Sequence, residues 1–305
     1  MRTDRRGFAL IAVLWALLLA AALAAELQSG ARGDLRGASA ARLAGRARWA
    51  ARGGLAHAEE ALRARLNASS AAGLPPATDT SVVRPGELDY DGVKVRVTVT
   101  DARAKVQLNL APAAELRALG TAAGLSPDVS YAMAYAIVDW RAKNGSRWAA
   151  APEDTLAAAV RPPAGAFRTV EELRQVPGVT GEMYRAVAPL LSVAGDGRVN
   201  LNSAPMAVLR TLPGFDASSA RAVIERRRAA PFLSAYEVVA ALRPGERERV
   251  QDRMAELLAR IAFTPRYGEV RVEARGKGPA ERARIRAVAV LAGGRLAPLT
   301  EIEER

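Results

Sequence analysis

From Phe8 to Ala25 every residue of the chain is apolar, with no charge and no proline. This run of 18 residues lies near the lower limit of the roughly 17–25 that a spanning helix needs. From Glu26 to Leu66 the pattern becomes mixed. Small and apolar residues alternate with arginine, no proline intervenes, and Leu35, Leu43, Trp49, Leu55 and Leu62 recur along the stretch. That pattern predicts continued helix, weakened by Gly30, Gly33, Gly37, Gly45 and the Gly53-Gly54 pair. A continuous helix over residues 8–66 would be roughly 90 Å long at 1.5 Å per residue. No bilayer is that thick, so its second half must pack on something soluble.

The pattern then changes period. A polar, Pro/Gly-marked connection runs from about residue 67 to 92. After it, Val93, Val95, Val97 and Val99 alternate with Lys94, Arg96, Thr98 and Thr100. Period two of this kind predicts a half-buried strand. At the far end, "YGEVRVEARG" and "ARIRAVAVLAGG" predict two more strands joined by a Gly-Lys-Gly-Pro turn, followed by "EIEER" as a frayed acidic tail. Between the first strand and the last two lies an alanine-rich helical stretch, 105–262. The expected fold is α+β: a long N-terminal helix whose first half spans a membrane, and a small antiparallel sheet interrupted by a large all-α insert.

That insert repeats itself. "VQLNLAPAAELRAL" at 106–119 matches "VNLNSAPMAVLRTL" at 199–212 in nine of fourteen positions. "AIVDWR" at 136–141 parallels "AVIERR" at 222–227, and "FRTVEEL" at 167–173 parallels "FLSAYEV" at 232–238. Repeats spanning about 106–175 and 199–245 are expected, as one domain or two. Each begins with an extended segment holding Asn109 or Asn202. A helix follows with Pro112 or Pro205 in its first turn, where a missing N–H costs nothing. Leu116 and Leu119, like Leu209 and Leu212, should face one core. The units resemble helix-hairpin-helix, SAM-like modules, many of which bind DNA through a Gly-x-Gly hairpin whose amides meet a phosphate.

Charge argues against that function. The net charge of +12 is spread thin: residues 107–262 hold nineteen basic and sixteen acidic residues, poor provision for salt-linked phosphate binding. In "LPGFDAS" at 212–218, Gly214 is followed by Asp216 where a second glycine would stand; in "VPGVTGE", Gly178 and Gly181 are one residue too far apart. "LGTAAGLS" offers no clear hairpin. Arg226, Arg227 and Arg228 read as a solvated helix face, and Trp140 and Trp148 as core or packing residues. The chain has no cysteine and one histidine, His57, read as an ordinary helix residue. Disulfides, thiolate metal sites and most nucleophile–base pairs are thereby removed, and no enzyme is expected.

The opening residues allow three devices: a cleaved signal peptide with Ala22-Leu23-Ala24 as its site, a retained anchor, or a helix that leaves the bilayer within a fibre. Arg2, Arg5 and Arg6 precede Gly7 and Phe8, and the positive-inside rule holds such a leader in the cytoplasm. A short leader ending in Arg-Arg-Gly, then Phe and an apolar helix, resembles the type IV prepilin signal. There a prepilin peptidase cuts after the glycine and methylates the new N-terminus. Counting from Phe8, the fifth residue is Ala12, where most pilins and pseudopilins carry glutamate.

The leader, the missing glutamate, the long helix, the sheet and "VNLNSAPMAVLRTLPGF" in this order resemble the minor pseudopilin K family of type II secretion systems, over essentially the whole chain. The resemblance implies a leader at 1–7 and a helix at 8–66, transmembrane over 8–25. It further implies a linker and first strand at 67–104, the inserted domain at 105–262, and C-terminal strands at 263–305. Asn109, Pro112, Asn202, Pro205 and Gly214 mark the insert. The implied location is a single pass through the inner membrane with the bulk in the periplasm. The implied partners are minor pseudopilins I and J, other pseudopilus and platform components, and prepilin peptidase, with no nucleic acid. Together these subunits would cap the pseudopilus and prime its growth. Some members bind calcium; this sequence assigns no ligands to it, and no cofactor is expected. The rival readings are a secreted or membrane-anchored helix-hairpin-helix DNA-binding protein, or a minor pilin of a type IV pilus.

Overall fold

The computed structural model describes residues 5–71, 87–145, 166–292, 295–296 and 300–304. Arg2, Trp148, most of the expected linker and the final Arg305 lie outside the described residues. Helix α1 runs without interruption from Arg5 to Ala71. Its second half buries Ala47, Ala50, Ala51, Leu55, Ala58 and Leu62, positions that fall on one side of a helix of 3.6 residues per turn. That side lies on a sheet face made of Val93, Val95, Val97, Val270, Val272, Ala274, Ile285 and Ala287.

Alanine on the helix lets it lie close to the valines. At Gly54 the approach is closest: a Cβ there would sit 2.6 Å from Val95 Cγ1 and 2.9 Å from Val272 Cγ1. The glycine pair that weakens the sequence's helix signal is therefore a packing requirement, since tertiary contact outweighs propensity here. Trp49 departs from expectation in the opposite sense. It belongs to the helix but is 74% exposed.

Strands β1 (Glu87–Tyr90) and β2 (Val93–Asp101) form a hairpin. Asp91 and Gly92 connect them with φ of 54° and 81°. Both values are positive, as a type I′ turn needs, and Asp-Gly is a residue pair that favours it. The reading of 67–92 as connection alone missed this strand. β2 alternates buried valines with outward polar residues as its period predicts.

The chain then enters the insert: β3 (Val106–Gln107), α2 (Ala113–Ala122), α3 (Pro127–Gly145), α4 (Gly181–Val187), β4 (Leu191–Ser192), β5 (Val199–Asn200), α5 (Met206–Leu209), α6 (Ala217–Ala229), α7 (Ala235–Ala240), α8 (Pro244–Asp252), α9 (Met254–Arg260) and β6 (Ile261–Ala262). It returns through β7 (Tyr267–Arg275), β8 (Arg282–Ala292), β9 (Arg295–Leu296) and β10 (Thr300–Glu304). The main sheet has the order β1-β2-β7-β8-β10, with β9 also on β8. All its pairings are antiparallel. β10 corrects the reading of the terminal acidic residues as a frayed tail, because Thr300 pairs with Val288 and Glu304 with Ile285.

β2 and β7 are direct neighbours, with Asp101 opposite Gly268. The whole insert therefore leaves and rejoins the sheet across one strand pair, a placement that leaves the sheet's register undisturbed. Within the insert both repeats share one core: Leu108, Leu116, Leu119 and Phe167 from the first, Leu201, Leu209, Leu212 and Phe232 from the second. The two repeats form one domain.

Candidate functional site

Two regions stand apart from the packed core, and two networks hold the insert in place. The first region is the N-terminal half of α1. Leu17, Leu18 and Leu19 are consecutive, so they point in three directions about 100° apart. All three are more than half exposed, as are Val13, Leu14, Trp15 and Leu23. A helix apolar all round wants either lipid or neighbouring helices. The backbone of Arg5, Arg6, Gly7, Phe8 and Ala12 belongs to this helix; their side chains lie outside the described residues. Among the described residues no helix is long and apolar enough to cross a membrane.

Further along α1, Trp49 and Tyr90 flank an open groove of about 730 Å³. Gly45, Ala50 and Val93 also line it, and its surface is predominantly apolar. Arg46 closes one side, donating to the Asp91 carbonyl at 2.6 Å. A Cβ on Gly45 would meet nothing within 4 Å, so the groove is open above that residue.

In the insert, Asn109 donates to the Phe167 carbonyl at 2.9 Å and accepts from the Phe167 N–H at 2.8 Å. Asn202 makes the same pair with Phe232 at 2.9 and 2.8 Å, and a further bond to the Phe263 carbonyl at 2.8 Å. These amides staple the extended start of each repeat to the segment before its last helices. Two arginines complete the staples. Arg141 donates to the carbonyls of Leu108 and Ala111 at 2.9 and 2.8 Å. Arg227 does the same to Leu201 and Ala204 at 2.7 and 2.8 Å. Burial pulls the pKa of both guanidiniums down, for Arg227 with help from the Arg228 charge. Arg227 is therefore part of the fold, which corrects its reading as one of three solvated arginines. The shared final arginine of "AIVDWR" and "AVIERR" was the sequence signal for this role.

Each repeat also closes with a short parallel strand pair, Val106 opposite Leu191 and Val199 opposite Ile261. Pro112 and Pro205 stand one residue ahead of α2 and α5, at the cap position instead of the first turn. Gly214 has φ +78°, and a Cβ there would lie 2.7 Å from the Arg249 carbonyl oxygen. Both facts require glycine. Asp216 caps α6 by accepting from the N–H groups of Ser218 and Ser219. In the first repeat "LGTAAGLS" does form a turn, with Gly124 at φ +97° between α2 and α3. His57 is exposed on α1, and Trp140 packs against the insert's core.

The joint between insert and sheet is polar. Asp101 is buried and accepts from Arg103 N–H, Asn200 Nδ2 and Ser203 Oγ at 2.9, 2.8 and 2.7 Å. Burial pushes its carboxyl up, and these bonds recover only part of that shift. Arg103 grips Asp196 with two nitrogens and donates to the Thr264 carbonyl at 3.0 Å. Glu269, on β7, receives Lys105 Nζ at 2.6 Å and Ser192 Oγ at 2.5 Å. Burial raises its carboxyl, but Lys105 and Ser192 together hold it below the ordinary value. On β8, Arg286 forks onto Glu171 at 2.6 and 2.5 Å. Bidentate pairs of this kind fix geometry as well as charge.

Calcium needs six to eight oxygen ligands. Among the described residues no group of three or more acidic or histidine side chains could hold a metal ion. Asp101, the buried acid at the joint, has its oxygens committed to protein donors. The described residues do not fit such a site.

Residues 96–196 match the family described as type II secretion system (T2SS), protein K. No curated protein matches the sequence. A chain of the crystal structure of the GspK-GspI-GspJ complex, from the type 2 secretion system of enterotoxigenic Escherichia coli, superposes with a TM-score of 0.58 at 17% identity. The match covers 85% of this chain and 95% of that one. At that identity it establishes a shared fold.

Proposed function

We propose that this chain is a member of the type II secretion system protein K family, a minor pseudopilin that joins pseudopilins I and J at the tip of the pseudopilus. The observation that carries the reading is the protein K match across residues 96–196, set in a fold shared with a chain of the GspK-GspI-GspJ complex. The matched segment holds Asp101, Arg103, Lys105, Glu171, Ser192 and Asp196 of the joint, while their partners Asn200, Ser203, Glu269 and Arg286 lie beyond it.

The remaining steps follow from the chain's own residues. The all-round apolar exposure of Val13 to Leu23 suits a bilayer before assembly and neighbouring helices after it. Arg2, Arg5 and Arg6 would keep the leader in the cytoplasm, and prepilin peptidase would cut between Gly7 and Phe8. The domain after the anchor would then lie in the periplasm. Ala12 carries no carboxylate to neutralise the amine of a subunit above it, which suits the topmost position. The insert would add bulk against stacking there. Trp49 and Tyr90 flank an apolar groove into which the helix of pseudopilin I or J would pack, with the exposed indole as its anchor.

The test is the mature N-terminus. Full-length chain co-expressed with its prepilin peptidase should yield, by mass spectrometry, a product beginning at N-methylated Phe8. A product beginning near Ala25 or Glu26 would make this an ordinary secreted protein and overturn the reading.

A further inference from the structure

Between the two repeats lies an open cleft of about 940 Å³. One wall is the first turns of α2. The other is the turn from Arg210 to Phe215 together with α8 and α9. Five arginines line it against three acids. At its floor Glu115 is buried and paired with Arg260, an ion pair that ties α2 to α9. On its rim Arg249 pairs with Asp216, and Arg253 with Glu256. Arg117 and Arg210 come from opposite repeats and take no carboxylate among the described residues. Asp252 also lines the cleft, so with the three pairs set aside the net surplus is a single positive charge, with Arg117 and Arg210 on opposite walls.

Beside it stands an exposed aromatic pair. Tyr131 and Tyr135 lie one turn apart on α3, with ring centroids 4.4 Å apart and planes at 37°. Each is about half exposed, 49% and 51%. The helix that carries these tyrosines, α3, packs against α2, which carries Arg117. Tyrosine and arginine around a concavity, on a domain whose core is already complete, match the composition of protein-binding surfaces.

We propose that this cleft, with its tyrosine lip, binds an acidic, extended segment of another protein. Carboxylates of that segment would reach Arg117 and Arg210, and an apolar side chain would lie on the tyrosine rings. The acids that share the cleft favour a polypeptide over a nucleic acid. Asp252 and Glu256 interrupt the basic surface, and Asp216 adjoins the hairpin turn, so the cleft offers no unbroken basic track for a phosphate chain. The surface is distinct from the α1 groove assigned to pseudopilins I and J, and the site does not depend on that assignment.

The test uses the full chain in non-ionic detergent and a fluorescently labelled octaglutamate peptide, with anisotropy as the readout. Octalysine and oligothymidine serve as comparison ligands. The wild-type protein should bind octaglutamate, more weakly as salt rises. The double variant Arg117→Glu, Arg210→Glu should bind about tenfold more weakly, whereas Arg96→Glu, Arg221→Glu, with the same charge change elsewhere, should stay within about twofold. Tyr131→Ser, Tyr135→Ser leaves every charge in place and should also weaken binding. It decides the matter if the arginine variant does not fold. Absence of octaglutamate binding, or equal loss in both charge-reversed proteins, overturns the proposal. Preferential binding of oligothymidine through the same arginines overturns it in favour of a nucleic-acid site.

Discussion

Asn109 and Asn202 hold corresponding places in the two repeats, and each exchanges a pair of hydrogen bonds with the backbone of a phenylalanine, Phe167 or Phe232. The duplication is thus one of architecture as well as sequence. An amide staple, an arginine clamp on two carbonyls and a closing parallel strand pair recur in each half. Asn202 goes one step further and also holds the Phe263 carbonyl, where the chain leaves the insert.

Replacing either asparagine by alanine strands partly buried backbone groups, at a cost of about 1–3 kcal/mol. Asn202→Ala removes one bond more than Asn109→Ala and should be the more destabilising of the two. Denaturant unfolding of both variants checks the order. Equal stability of Asn202→Ala and wild type would mean that the staple is dispensable.

The arginine clamps make a separate prediction. A guanidinium reaches two carbonyls at once in a fixed fork, and an ammonium does not. Arg141→Lys should therefore lower stability although charge is kept, and Arg221→Lys, on the exposed face of α6, should not. A thermal-unfolding comparison of the two lysine variants distinguishes them.

Gly54 and Gly37 sit on the same helix in opposite circumstances. A methyl at Gly54 would enter the valines of β2 and β7, while one at Gly37 would meet nothing within 4 Å. Gly54→Ala should destabilise by about 1–3 kcal/mol through overpacking. Gly37→Ala should be neutral or stabilising by up to about 1 kcal/mol, because alanine is the better helix former. Two glycines in similar sequence surroundings would thus respond with opposite sign.

These glycines also show how far the sequence could be read. Local period was enough for β2, β7 and β8, because one face of each is buried and the alternation records it. The repeat was legible because its staples need the same residues twice. The short strands β3 to β6 have two residues each, too few to carry a period. The joint was invisible for a different reason. Asp101 and Arg103 are far in the chain from Asp196 and Glu269, and only the folded insert and the return of β7 beside β2 bring them together. Asp91-Gly92 was a missed local signal, since that dipeptide directly precedes the alternating strand.

Acid should act on the joint through Glu171. Its hydrogen bonds to Arg286 hold the carboxyl at about 2, against an ordinary 4.5. A carboxylate with a depressed folded pKa stabilises fully above its unfolded value and loses that contribution as pH falls towards the folded one. Wild-type stability should therefore fall between about pH 4.5 and 2, and Glu171→Gln should flatten the profile in that window. The pair is partly exposed, so the loss at neutral pH should be about 1 kcal/mol or less. Asp101 and Glu115 act in the opposite direction, since burial raises both, and neither is altered in this variant. Denaturant unfolding at several pH values gives the two profiles.

Asp101 makes the sharpest case for the joint as a unit. Its carboxylate accepts three bonds, from Arg103 N–H, Asn200 Nδ2 and Ser203 Oγ. Asp101→Asn keeps the shape and removes the charge, but it replaces one acceptor oxygen by an NH₂ that faces donors. Where that NH₂ turns toward Asn200 and Ser203, the Asn200 amide loses its acceptor, while Ser203 Oγ can turn to accept; where it turns away, Arg103 N–H is orphaned. Either arrangement costs about 1–3 kcal/mol, and the cost falls at the joint, away from the cores of the sheet and the insert. Limited proteolysis should then cleave the variant faster within 102–105 or 263–266, while the insert's helical circular dichroism stays at the wild-type level. Cleavage at unchanged rates would show that the Lys105–Glu269 and Arg286–Glu171 pairs hold the insert without Asp101.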